Sequence, residues 1–215
     1  AYGDDLPGIN VIADGDGIPH NNIVSGNTVV GFTNQGQLGI QVNDAINTQV
    51  QNNSLSDLAV GITELNAKDT LIAGNVINPV EPVDNFLTAI GIRSTGGYTQ
   101  TIIDSNNIFH SRAGVIVLAS LGVAFVTNNS MRVNSVGVSV VGAQEPIVSL
   151  NGISAYGAGI VVAFTPGATV SGNGLTMHGL GGGIAIDGRF RPVVEFMYAD
   201  FMWVAADQRV NQICK

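Results

Sequence analysis

Seven asparagines recur along the chain in one local setting, and that recurrence constrains the fold more than any other feature. They stand in Val24-Ser-Gly-Asn27-Thr-Val29, Val50-Gln-Asn-Asn53-Ser-Leu55, Ile72-Ala-Gly-Asn75-Val-Ile77, Ile103-Asp-Ser-Asn106-Asn-Ile108, Val126-Thr-Asn-Asn129-Ser-Met131, Val148-Ser-Leu-Asn151-Gly-Ile153 and Val170-Ser-Gly-Asn173-Gly-Leu175. Successive asparagines are 26, 22, 31, 23, 22 and 22 residues apart. A period near 22, with Asn at a turn between apolar residues, marks a solenoid whose repeats bury their apolar faces against one another.

A second marker keeps step with the first. Gly8, Gly39, Gly61, Gly91, Gly114, Gly137, Gly159 and Gly183 each open a run that alternates apolar residues, as in Gly39-Ile-Gln-Val42. In four repeats the glycine follows its asparagine by 8 residues: 53 to 61, 106 to 114, 129 to 137 and 151 to 159. Each repeat therefore holds at least two short strands of period two, separated by Asn- or Gly-bearing turns where positive φ is cheap. Stacking each strand on its equivalent gives parallel sheets with rungs roughly 4.8 Å apart. Val29, Leu55, Ile77, Ile108, Met131, Ile153, Leu175 and then Tyr198 are expected to form one inward column. The asparagines are expected to stack at a corner, where a buried amide survives only if its hydrogen bonds are satisfied.

Composition narrows the function classes. The chain has 215 residues, enough for one substantial domain, and its 45% hydrophobic content with strong apolar periodicity argues against disorder despite 28 glycines. A net charge of -8 and only two lysines argue against nucleic acid as a partner. The single cysteine, Cys214, allows no intramolecular disulfide and no zinc site of paired cysteines. No run approaches the 18 or so apolar residues of a membrane helix. The first residue is Ala, and Ala1-Tyr2-Gly3-Asp4-Asp5-Leu6-Pro7 leads directly into a repeat strand, which reads as a processed chain or a piece of a longer one.

Over residues 8 to 198 the pattern of asparagine turns and glycine-led strands resembles the right-handed parallel β-helix family, the pectate-lyase-like architecture with asparagine ladders at a tight turn. The resemblance supplies the handedness. It implies an all-β fold, a single-stranded right-handed parallel β-helix of about eight rungs. The repeats are expected over residues 1–188. Residues 189–215, where Phe190, Phe196, Tyr198, Phe201 and Trp203 crowd together and Phe196 takes the ladder position, are expected to cap the solenoid or contact a partner subunit. The family includes polysaccharide lyases, hydrolases and epimerases, phage tailspikes and adhesins, so the resemblance fixes the fold more narrowly than the activity.

Departures from the repeat are the functional clues. The turn between asparagine and glycine is lengthened in two repeats, by about 4 residues after Asn27 and about 8 after Asn75. The second insertion, Asn78-Pro-Val-Glu-Pro-Val-Asp-Asn-Phe86, carries Glu81 and Asp84. A further loop, Asp14-Gly-Asp-Gly-Ile-Pro-His20, lengthens the first return segment. Loops on a rigid scaffold often carry function. The same turn of the regular repeats holds Asp57, His110, Arg112, Asn134, Tyr156 and His178, so Asp57, His110, Arg112, Tyr156 and His178, with Glu81 and Asp84, form the candidate ligand-binding edge. Such an edge suits an oligosaccharide lying along the axis, and His110 with Arg112 or Tyr156 suits acid–base work on a uronate. The plainer reading of the same residues is that they are ordinary solvated turn residues, and one sequence does not show that they converge. No calcium-type acid cluster and no clear carboxylate pair is seen, Glu64 and Asp104 being the only acids in or beside mid-chain strands; no metal or cofactor is implied and no catalytic residue is assigned.

One outer row of the glycine-led strands reads Asn10, Gln41, Thr63, Arg93, Ile116, Ser139, Val161, Ala185, and the next reads Ile12, Asn43, Leu65, Thr95, Leu118, Val141, Ala163, Asp187. The outer face thus turns apolar midway, and an uncovered stripe of that kind invites association. Ile116, Leu118, Val141, Val161 and Trp203 are the expected oligomer contacts, in a homotrimer or larger assembly. Two functions follow: a structural or recognition module of a surface or virion appendage, tailspike- or fibre-like and contacting glycans, or a polysaccharide lyase or epimerase. Both place the protein outside the cell, at a cell surface or in a virion.

Overall fold

The computed structural model describes residues 7–13, 17–31, 37–78, 89–178, 182–186, 193–195 and 198–199. Every regular element among them is a β-strand, and every strand pairing is parallel. The chain winds as a right-handed parallel β-helix, as the periodicity and resemblance implied. Three strands make a coil, one more than the two that the asparagine and glycine markers required. The coil of Gln144–Ser149, Gly152–Ala155 and Ala158–Ala163 is representative: one strand leads into the ladder, one follows it, and one is led by the glycine. Eight ladder-leading strands, from Ile23–Ser25 to Val193–Glu195, stack into one sheet. The other two sets merge into a second sheet, because Asn107–Leu118 and Ser130–Val141 run through the glycine corner without a break.

The ladder satisfies its own polar groups. Each asparagine from Asn27 to Asn151 donates its side-chain amide to the carbonyl oxygen of the next asparagine at 2.9–3.0 Å. That oxygen also accepts the backbone N–H of the same donor residue, for example Asn106 N to Asn129 Oδ1 at 2.9 Å. The second amide hydrogen reaches a carbonyl of the preceding coil, as from Asn129 to Ile103 O at 2.9 Å. The residue before each asparagine is left-handed: Gly26, Asn52, Gly74, Ser105, Asn128, Leu150 and Gly172 have φ between 54° and 68°.

The glycine marker has a steric cause. A Cβ on Gly61 would lie 2.4 Å from Ile77 Cγ2 and 2.7 Å from the Gly91 carbonyl oxygen, and the same clash recurs at Gly39, Gly91, Gly114 and Gly137. The corner brings the backbone against the inward column of the next coil, so no side chain fits.

The inward column has the expected register from Val29 through Leu55, Ile77, Ile108, Met131 and Ile153 to Leu175. The register differs at its end: Ala199, not Tyr198, pairs with Leu175, and Tyr198 pairs with Gly174. Losing the ladder asparagine removed the marker that set the register there. Further columns, Val50-Ile72-Ile103-Val126-Val148-Val170 and Ile40-Ile62-Ile92-Val115-Val138-Ile160-Ile184, complete the buried core. One column is interrupted by polar groups: Val42, Glu64, Ser94, Val117, Val140, Val162. Phe190, Phe196, Phe201 and Trp203, the two insertions at 32–36 and 79–88 with Glu81 and Asp84, and Asp14 and Asp16 lie outside the described residues.

Candidate functional site

The turn after the ladder-following strands brings some of the edge residues together and leaves others apart. Tyr156 and His178 occupy equivalent positions of adjacent coils, since Ala155 pairs with Met177 just before them. Their ring centroids are 5.2 Å apart at 38°. Both are exposed, and His178 Nε2 lies 2.7 Å from Ser154 Oγ. His110 sits two coils earlier, in a bulge where pairing passes from Phe109↔Arg132 directly to Ser111↔Val133. The bulge holds it at φ 49° and aims its ring outward, with Nδ1 2.9 Å from Asn78 Oδ1. Arg112 is half-buried beside it, and its Nη1 is enclosed without a hydrogen-bond partner among the described residues. Asp57 is a left-handed turn residue whose N–H donates to Asn78 O at 3.3 Å. It lies four coils from Tyr156, roughly 19 Å along the axis. The edge is therefore a row along the solenoid, and Asp57 shares no local site with Tyr156 and His178.

Beside the Tyr156–His178 pair the outer surface is indented. A groove of about 500 Å³ crosses three coils, lined by Ser130, Arg132, Gly152, Ser154, Gly174 and Thr176, with Met131, Ile153 and Leu175 beneath. Its cause is local. The position after the ladder asparagine faces outward and is Ser54, Val76, Asn107 and Ser130 in earlier coils, then Gly152 and Gly174. A Cβ at either glycine would meet nothing within 4 Å, so these two glycines answer to no packing demand. Among the described residues the groove lining contains one charged group, Arg132, and no carboxylate. Sequence reasoning missed this floor, although Asn151-Gly152 and Asn173-Gly174 differ visibly from the other ladder positions. The alternation also marks Arg132, Ser154 and Thr176 as outward on the same strands.

Two carboxyls stand out by environment, and neither borders the groove. Glu64 is fully buried in the lumen. Burial pushes its pKa up to about 7, against hydrogen bonds from Ser94 Oγ, Ala67 N at 3.2 Å and Thr101 Oγ1 at 3.5 Å. Asp104 lies on the outer face of the ladder-leading sheet. Its partial burial raises the carboxyl, but hydrogen bonds from Thr127, Asn128 and Ser105 outweigh that and hold it below the usual range. No group of three His, Cys, Asp or Glu side chains converges as a metal site among the described residues.

The apolar outer rows have the register read from the sequence. Arg93 pairs with Ile116, Ile116 with Ser139, Ser139 with Val161 and Val161 with Ala185, while Leu118 pairs with Val141 and Val141 with Ala163. Ile116, Leu118, Val141 and Val161 are all half-buried within the single chain. A second apolar row, not anticipated, runs along the ladder-leading sheet: Leu71, Ile102, Phe125, Ile147. No helix among the described residues is long and apolar enough to cross a membrane.

Comparison with known proteins agrees with this architecture. Residues 38–195 match the family profile described as a right handed beta helix region. Similar solved structures include mutant forms of the tailspike protein of E. coli bacteriophage HK620. One, in complex with a pentasaccharide, has a TM-score of 0.62 at 15% identity, covering 92% of this chain and 44% of that one. A second, also with a pentasaccharide, has a TM-score of 0.52 at 15% identity over 88% and 47%. A double mutant has a TM-score of 0.53 at 14% identity over 87% and 49%. The chain thus spans less than half the length of these tailspikes. No curated protein matches it.

Proposed function

This chain belongs to the right-handed β-helix family, and from that premise we propose that it is a glycan-recognition module of a tailspike- or fibre-like appendage at a cell surface or on a virion. The observation that carries the reading is the open groove beside the exposed Tyr156–His178 pair. An aromatic ring next to a slot with hydroxyl-bearing walls suits a sugar, which offers an apolar ring face and hydroxyls that need partners. The pentasaccharide complexes of the similar tailspikes support a saccharide ligand, at the level of fold. Arg112 and His110 extend the same edge away from the groove, and Asp57, Glu81 and Asp84 belong to the proposed edge farther along the chain.

Recognition without turnover is favoured over hydrolysis because the described groove lining holds no carboxylate pair; a lyase or epimerase is the alternative, with Tyr156 and His178 beside the groove as acid–base candidates. The experiment is a screen of bacterial surface polysaccharides for binding and for unsaturated or shortened products. Saturable binding with unchanged polymer length is the expected result. Gly152→Leu should abolish it while leaving the protein folded, since the new side chain enters open space. Product formation lost in His110→Ala would establish the enzymatic reading instead.

The half-buried row of Ile116, Leu118, Val141 and Val161 supports assembly as a homotrimer with these strands near the axis. Trp203 belongs to the same proposed contact.

A further inference from the structure

We propose that the groove selects glycans bearing a carboxylate sugar, with Arg132 as the residue that reads the charge; the proposal rests on the glycan-recognition reading above. Arg132 projects from the outer face of Ser130–Val141, is exposed, and forms one wall of the groove. Its side chain makes no hydrogen bond or ion pair with another described residue. Its neighbours in register are Phe109 on one side and Ser154 on the other, neither charged. No carboxylate lines the groove among the described residues. On a chain of net charge -8 with eight basic residues in total, an arginine set in a concave surface with no acid among the described lining residues is a local positive charge against the overall balance.

A glycan lying on Gly152 and Gly174 covers this guanidinium and removes part of its water. With a neutral sugar that desolvation is offset only by hydroxyl oxygens. With a sugar carboxylate it is offset by a charge-assisted, bidentate pair that fits the planar fork. The Tyr156 and His178 rings and the Ser154 and Thr176 hydroxyls then contact the sugar ring irrespective of its charge. Affinity thus comes from the whole groove, whereas discrimination comes from Arg132. The surrounding negative charge slows approach of any anionic polymer, so binding is expected to be short-range and sensitive to ionic strength.

The test pairs each acidic polysaccharide with its carboxyl-reduced form, in which only the carboxylate has become a primary alcohol. Binding of the whole chain is measured to both, at low and moderate salt. The acidic form is expected to bind roughly 10- to 100-fold more tightly, the range for charge-assisted hydrogen bonds. Arg132→Gln is expected to erase that difference while keeping residual affinity for the reduced form, and Arg132→Lys to restore part of it. Equal binding of the two forms, or an undiminished preference in Arg132→Gln, overturns charge selection and leaves glycan recognition standing. Absence of binding to every glycan, acidic or neutral, overturns the recognition reading and this inference with it.

Discussion

Leu150 is held at φ 58° in the turn before the ladder, where the other coils place Gly, Asn or Ser, and its side chain is 62% exposed. A branched hydrocarbon in the left-handed region costs about 1–2 kcal/mol relative to its ordinary backbone, and here little burial offsets it. Leu150→Asn is therefore expected to raise stability by about 1 kcal/mol, measured by chemical denaturation; an unchanged midpoint would argue that the Leu150 side chain, which reaches the Gly172 turn, contributes more packing than its exposure suggests. Glu64 is the opposite case, a carboxyl buried among inward columns with a pKa of about 7. Below about pH 4.5 both folded and unfolded chains hold its proton. Between there and about pH 7 the unfolded chain releases it first, so folding loses stability as pH rises, by on the order of 3 kcal/mol, and the loss is then constant. Glu64→Gln removes this component. The stability of the variant relative to the parent should grow by about that amount from pH 4.5 to 8, and a difference flat across this range would show that the carboxyl is ionised throughout. Alternation marks Glu64 as inward in the sequence, because Ile62 and the glycine-led frame set the parity. Its donors, Ser94 and Thr101, lie 30 and 37 residues away, and only the winding of the chain brings them to it.

At the scale of the element, the asparagine ladder and the glycine corner do different work. An internal asparagine holds four hydrogen bonds, and removing it strands groups on both neighbours. Asn129→Ala takes from the Asn106 N–H and one of its amide hydrogens the oxygen they share, and takes a donor from the Ile103 carbonyl, in a dry interior. A loss of about 3–5 kcal/mol is expected, against about 1 kcal/mol for Asn27→Ala at the partly exposed start of the ladder. Thermal or urea unfolding of the two variants measures the contrast; equal losses would mean that the ladder is held by its backbone bonds alone. Glycines divide in the same way. Gly61→Ala drives a Cβ into Ile77 and the Gly91 carbonyl and should cost about 3 kcal/mol or more, while Gly152→Ala enters open space and should cost well under about 1 kcal/mol. Both glycines come after a ladder asparagine, Gly152 directly and Gly61 eight residues on, yet only the corner glycine is fixed by packing. That separates scaffold from site: the corner glycines recur at the repeat, whereas Gly152 and Gly174 appear only in the last coils.

Across the whole molecule, the proposed functions belong to the outer surface of the coil. The apolar half of the glycine-led face, Ile116 to Val161, and the row Leu71, Ile102, Phe125, Ile147 lie on successive strands of the coil, on either side of one turn. A homotrimer that covers the first face should have three times the 22.2 kDa chain mass in solution. Val161→Asp should lower that mass toward the monomer without unfolding the coil, because Val161 faces outward from its strand. A monomeric parent, with Val161→Asp changing neither mass nor solubility, would remove the trimer from the reading. The groove lies on the face that follows the ladder, so loss of assembly and loss of glycan binding are separable outcomes.

The periodic part of the structure was legible because a solenoid's neighbours are one repeat apart. Local spacing therefore determined the ladder, the inward columns from Val29 to Leu175 and the outer rows from Asn10 to Ala185 without knowledge of distant contacts. The third strand of each coil lacked a marker of its own, and the frame slipped by one residue where the ladder asparagine was lost near Tyr198. What only the tertiary structure decided is which aperiodic residues meet. It placed Tyr156 against His178, opened the surface at Gly152 and Gly174 beside Arg132, and kept Asp57 four coils away. Repetition encodes stacking distance along the chain, but a site depends on the shape left when side chains of different size occupy equivalent positions, and no period records that.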